Sequence, residues 1–133
     1  MGPFQVARSW CLRMSEGQLT TTQVNDGTVI LAGHTGRTIT VVDAWVRAIG
    51  GAATANTSVD LTDSVTGTIA VSFARAGLAQ NVVLRAGASN TTATNLLASL
   101  GAGQGLKIAN VGTAMTTATA LDYVIYYVVD QTP

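Results

Sequence analysis

Charge is scarce in this sequence. Only 11% of the 133 residues are Asp, Glu, Lys or Arg, against roughly 25% in an ordinary soluble domain. Seven basic residues balance seven acidic ones, so the formal net charge is zero. A strong phosphate-neutralising surface cannot be built from that supply, which argues against nucleic acid as a partner. A near-neutral surface also favours association, which suits a chain partly covered by other chains. Aromatics are few as well, 5% of residues, so the apolar share is carried by Ala, Val, Leu and Ile. The single cysteine, Cys11, excludes an intrachain disulfide framework. No apolar run approaches the roughly 18 residues of a membrane-spanning helix. Arg8, Arg13 and Glu16 interrupt any apolar region of a signal peptide within residues 1–17. These features suggest a chain made and assembled in the cytoplasm and stabilised by packing and association.

What is present is strand signal. The longest stretch is Gly36 to Ile49, GRTITVVDAWVRAI, rich in β-branched residues, alternating and bounded by glycine. One parity holds Thr38, Thr40, Val42, Ala44, Val46 and Ala48 and predicts a packed face. The other holds Ile39, Val41, Asp43, Trp45, Arg47 and Ile49 and predicts a partly covered face. One packed and one partly covered face belong to an antiparallel sheet. Further strands are predicted at 28–32, 58–62, 68–74, 81–85 and 106–110, and at 120–130, ALDYVIYYVVD, which holds all three tyrosines. Gly33 to Gly36 predicts a turn of a hairpin leading into the central strand. Ala52–Thr57 and Gly112–Thr119 read as loop and turn regions of small residues. Asn95 to Leu100 is the one place that allows a helix, with Asn95 as N-cap and Gly101 as stop.

Seven or eight short strands at this spacing predict an all-β, antiparallel β-sandwich, jelly-roll-like, with at most one short helix. The domain spans 23–133. Residues 1–22 read either as an N-terminal anchoring arm or as a first strand packed on its own domain. Arg8, Trp10 and Arg13 of that segment are residue types that anchor protein interfaces.

No constellation supports catalysis. His34, the only histidine, sits between glycines in a predicted turn and reads as an exposed turn residue. Cys11 lacks the surroundings that activate a thiol. Gly101–Lys107, GAGQGLK, lacks the ending and the following helix of a phosphate loop and reads as a reversal between strands. Asp60 and Asp63 flank a turn without calcium-loop spacing. Asp43 beside Arg47, or Asp122 facing a basic residue across strands, reads as a structural pair. The expectation is no enzyme, no metal, no cofactor and no small-molecule substrate.

Three stretches, VVDAWVRAIGGAATANTSVDL, GTIAVSFARAGLAQNVVLRAG and LGAGQGLKIANVGTAMTTATALDYVIYYVV, resemble small decoration (cement) proteins of tailed bacteriophage heads. The resemblance rests on Asp43 to Trp45, the small-residue turn after Ile49, Arg85 to Gly87, and the glycine-led strand ahead of the aromatic-valine strand. It covers roughly Gly36 to Val129. It implies a β-sandwich, often a homotrimer, on the outer surface of the virion capsid. There it would bind the major capsid protein and reinforce the expanded shell. Trp45, Tyr123, Tyr126 and Tyr127 are the expected subunit or shell contacts beside Arg8, Trp10 and Arg13. A tail, fibre or receptor-binding β-module is the alternative, with loops 52–56 or 88–95 as its recognition elements.

Overall fold

The computed structural model describes residues 11–131. Two sheets form an antiparallel β-sandwich. One runs β1 (Arg13–Thr20), β9 (Ala120–Gln131), β3 (Arg37–Ile49), β6 (Val83–Arg85). The other runs β2 (Thr28–Leu31), β8 (Leu106–Thr117), β4 (Ala53–Asp63), β5 (Ile69–Ala74), β7 (Thr91–Thr92). The pairings are nested: β1 with β9, β2 with β8, β3 with β6, β4 with β5. That is a long antiparallel hairpin rolled up, the jelly roll. Rolling then sets β9 against β3 and β8 against β4.

The core lies between the sheets and is made of small and medium aliphatics. Ile39, Val41, Ala44, Val46 and Ala48 of β3 and Leu121, Tyr123 and Ile125 of β9 face Val59, Leu61, Val71, Phe73, Leu106 and Ile108. Phe73 is the largest fully buried side chain. The expected parity of β3 holds only from Ala44 onward. Before it, Ile39 and Val41 point inward instead of Val42. The cause is a bulge: Val41 pairs with Tyr127 and Asp43 with Tyr126, leaving Val42 unopposed. One extra residue exchanges the two faces. Alternation along β9 survives unbroken.

The segment read as an arm or a first strand is a strand from Arg13 on, paired to β9 through Thr20. It continues into a helix that periodicity did not suggest, α1 (Thr21–Asp26). Thr20 and Gln23 form a capping box, Thr20 Oγ1 accepting from the Gln23 amide and Gln23 Oε1 from the Thr20 amide. Val24 is fully buried, and the Asn25 side chain exchanges two hydrogen bonds with the backbone of Met115. A helix of six residues depends on such packing.

The helix allowed at Asn95–Leu100 does not form. Leu97 adopts φ +67°, which no right-handed helix accommodates. The segment instead lies along β3, Leu97 donating to the Val41 carbonyl and Leu100 to that of Ile39. Nor does a hairpin join β2 to β3, which lie in different sheets. The two small-residue regions read as loop and turn pair with each other, extending the β4–β8 ladder to Ala53 opposite Thr117. Thr54 Oγ1 lies within hydrogen-bonding distance of the Thr116 and Thr117 hydroxyls. Threonine suits strands, but Met115 is the only large apolar residue in the two segments, too few to show an alternation.

The loops after β2 and before β8 touch backbone to backbone. A Cβ on Gly105 would collide with the Leu31 carbonyl and lie 2.8 Å from the Gly33 amide nitrogen; one on Gly33 would collide with the Gly103 carbonyl. Gly105→Ala is therefore expected to lose about 1–3 kcal/mol. The check is the urea midpoint, which an unaltered value would contradict.

Candidate functional site

The outer face of the four-stranded sheet is where the register gathers unusual side chains. Gln18, Asp122, Arg47 and Val83 form one row across β1, β9, β3 and β6. Glu16, Val124, Trp45 and Arg85 form the next, and Met14, Tyr126 and Asp43 the third. Val124 points away from the core cluster yet is only 6% exposed, in register with Trp45. Trp45 and Tyr126 are half-buried, while Met14 and Val83 are exposed. The centre of this face is apolar and aromatic.

Four charges of these rows pair within the chain, while Glu16 is exposed and in no ion pair among the described residues. Arg47 Nη2 lies 2.7 Å from Asp122 Oδ2, and Gln18 Nε2 donates to Asp122 Oδ1 at 2.8 Å. Arg85 donates from Nε at 3.0 Å and Nη2 at 2.6 Å to Asp43 Oδ2, while Asp43 Oδ1 accepts from the Ala44 amide. Each expected carboxylate is thus in a structural pair, but Asp43 pairs with Arg85 and not with Arg47. The two pairs bracket the Trp45 row. The hydrogen bond from Arg47, helped by that from Gln18, holds the Asp122 carboxyl below its ordinary value against the opposing effect of burial. The hydrogen bond and charge of Asp43 raise the Arg85 guanidinium further. Arg47 Nε is buried without a partner, so Arg47 is held by its terminal nitrogens and its stem.

The residues expected to make contacts separate into groups. Trp45 and Tyr126 share the outer face. Tyr123 does not: it is a core residue stacked over Gly17, where a Cβ would come within 2.9 Å of its hydroxyl. Its parity is that of Leu121 and Ile125, which is why the face is closed to it. Arg13 pairs with Tyr127 at one end of the sandwich, on the inward parity. Arg8 and Trp10 lie outside the described residues. Gln18, Val83 and Val124 were not singled out from sequence, because their importance follows from cross-strand neighbours and alternation does not specify neighbours.

The residues weighed for chemistry are placed as follows. His34 is exposed in the turn before β3, and Cys11 is exposed and free. Asp63 is 2% exposed and accepts from the Val65, Thr66 and Gly101 amides and from the Gln104 side chain, closing the turn that follows β4. Asp60 accepts from the Ser58 and Ser72 hydroxyls at 2.8 and 2.6 Å. Among the described residues no three His, Cys, Asp or Glu side chains converge as metal ligands would.

No protein-family profile matches the chain, and no curated protein matches it in sequence. Among solved structures, it is similar to a chain of the cyanophage Pam1 capsid asymmetric unit. The TM-score is 0.54 at 14% identity, over 92% of this chain and 85% of that one. A chain of the extra small virus particle of the giant freshwater prawn Macrobrachium rosenbergii matches at TM-score 0.31 and 11% identity, over 88% and 78% of the two chains. The first likeness shows a shared sandwich fold.

A carboxylate held below its ordinary value stabilises the fold above that value, and the contribution is lost as pH falls through the depressed one. Asp122→Asn is expected to lower stability at neutral pH by about 1 kcal/mol or less, as for other partly exposed pairs. The gap should close as pH drops below the ordinary value of 3.8. Urea unfolding of both chains at pH 7 and pH 3 checks this, and a gap that widens toward acid would contradict it.

Proposed function

We propose that this chain is a structural virion protein that decorates a phage head, binding the major capsid protein on the outer surface of the shell and stabilising it as a homotrimer. The observation that carries this reading is the outer face of the β1–β9–β3–β6 sheet. Trp45, Val124 and Tyr126 form an apolar centre, and four of the neighbouring charges are already neutralised in Arg47–Asp122 and Arg85–Asp43. Burying the Trp45 centre of that face leaves those four charges with their partners, which lowers the main penalty in closing a protein interface. Aromatic centres of this kind dominate interface energetics. The fold likeness to a phage capsid chain and the sequence resemblance to cement proteins agree with the reading, although a jelly roll by itself serves many functions.

The role is non-enzymatic. Many weak contacts per trimer, repeated around the shell, would clamp neighbouring capsid subunits by avidity. A closed ring of three would use one heterologous contact per subunit, with the Trp45 face as one side of it. Residues around Arg8 and Trp10 would add an anchoring contact to the shell, beside Arg13. A tail or receptor-binding module would present aromatics on loops. Among the described residues every aromatic side chain lies on a strand, so that alternative gains no support.

Quantitative mass spectrometry of purified particles tests the role directly. The expected copy number equals that of the major shell protein or is a simple fraction of it; a handful of copies would indicate a tail part, and absence would remove both virion readings. Light scattering is expected to give a trimer for the parent chain and a monomer for Trp45→Glu, while a trimer unaffected by that change would remove the Trp45 face from the contact. Deleting residues 1–10, which leaves β1 whole, is expected to weaken shell binding at least about tenfold, the loss of one anchoring residue. Unchanged binding would end the role of the arm.

A further inference from the structure

At the open end of the sandwich near β1 and the start of β3, the inward parity carries charge instead of aliphatic side chains. Arg13 lies in the same row as the core residue Val41, through Tyr127. Arg37 precedes the buried Ile39 by two positions on the same strand. Both arginines line a cavity of about 160 Å³ between the sheets, together with His34 and Gln104, over Ile39 and Val129. No carboxylate of the described residues lines it.

The contrast with the rest of the sheet is what makes the cavity informative. Arg47 and Arg85, on the outer face, each hold an aspartate. Among the described residues Arg13 and Arg37 form no ion pair, although the chain has as many acidic as basic residues. The nearby Asp63 is buried behind Gln104 and engaged by backbone amides and the Gln104 amide. Two guanidiniums at one mouth repel each other unless an anion lies between them.

The walls of the cavity are held in place. The Arg37 amide donates to the His34 carbonyl at 3.1 Å, and the Gly103 amide donates to the Arg37 carbonyl at 2.8 Å. Gly33 and Gly105 bring the two loops into backbone contact. The volume far exceeds the roughly 30 Å³ share of one water and falls short of the roughly 300 Å³ at which pockets for drug-sized ligands begin. Arginine's planar fork matches oxygens held in pairs.

We propose that this cavity is an oxyanion-binding site, taking a carboxylate or phosphate group between Arg13 and Arg37 with His34 at its rim. The oxygen chemistry is shared by a free ion and by an acidic side chain presented by a neighbouring chain. The apolar floor of Ile39 and Val129 favours a carboxylate on a short aliphatic stem. The site shares Arg13 with the proposed shell contact but does not rest on that role and can be tested without particles.

The test is titration of the full chain, labelled with nitrogen-15, with sodium phosphate and separately with glutarate, each against sodium chloride at equal ionic strength. Saturable shifts at the amides of residues 31–39 and 127–129 are expected. Tighter binding of glutarate would identify the stem-borne carboxylate of a protein side chain as the natural occupant, and tighter binding of phosphate a free ion. Arg37→Gln is expected to weaken binding about tenfold or more, the effect of losing one charged hydrogen-bond donor. Arg37→Lys should recover only part of it, since it keeps the charge without the fork. The core amide spectrum of each variant verifies folding. Shifts no larger than those with chloride, or binding retained in the Arg13→Gln/Arg37→Gln double variant, would overturn the proposal.

Discussion

Everything in this molecule hangs on the seam between β3 and β9. It runs from Arg37 opposite Gln131 to Ile49 opposite Ala120, and both sides of it are used. Inward, it supplies much of the core of a chain with few large side chains. Outward, it places Trp45 against Val124 and Arg47 against Asp122. The bulge at Val42 makes the two uses compatible. It turns Ile39 and Val41 inward near the mouth and Ala44, Val46 and Ala48 inward further along, a change of parity that a regular strand cannot make.

That arrangement explains how so little charge suffices. On the outer face two arginines and two aspartates are placed in pairs across strands, which leaves Glu16 of the edge strand as the unpaired charge of those rows. At the mouth the same sheet does the opposite, and β1 and β3 each leave a cation, Arg13 and Arg37, facing one space. One sheet therefore has a largely self-neutralised side and an uncompensated end, set by register alone. The arginines are alike in both places; Arg47 stands opposite Asp122 and Arg85 reaches Asp43 from the position opposite Trp45, whereas Arg13 stands opposite Tyr127 and Arg37 opposite Gln131.

Much of the fold was readable from the sequence, because β3, β5 and β9 alternate clearly and glycines mark their ends. The faces of β9 were readable to the residue. The parity of β3 was readable only beyond Val42, since a bulge leaves no compositional mark there. The helix at 21–26 was overlooked although Thr20 and Gln23 carry the spacing of a capping box, a signal stronger than the helical turn expected at Asn95. The extension of the β4–β8 ladder escaped notice because Thr, Ala and Asn in Ala53–Thr57 fill a strand without an apolar stripe. Of the residues expected as contacts, Trp45 and Tyr126 share the outer face, whereas Tyr123, on the same strand as Tyr126, faces the core. That Asp122 would face a basic residue across strands was legible, but its partner Arg47, the partner Arg85 of Asp43 and the arginine mouth were not, as they join residues from strands whose order alternation leaves open.

The strand order also governs when the sheet can come into being. β9 lies between β1 and β3, yet it follows β3 by some seventy residues, Ile49 to Ala120. Until it arrives, β1 and β3 have no common neighbour and the long hairpin cannot close its outermost pair. Contacts so distant in sequence put the loop-closure entropy ahead of the burial that offsets it, which slows folding and prolongs the exposure of unpaired edges. A chain this poor in repelling charge has little to keep such edges apart, so the unfinished sheet is exposed to pairing with other copies of itself until its last strand arrives.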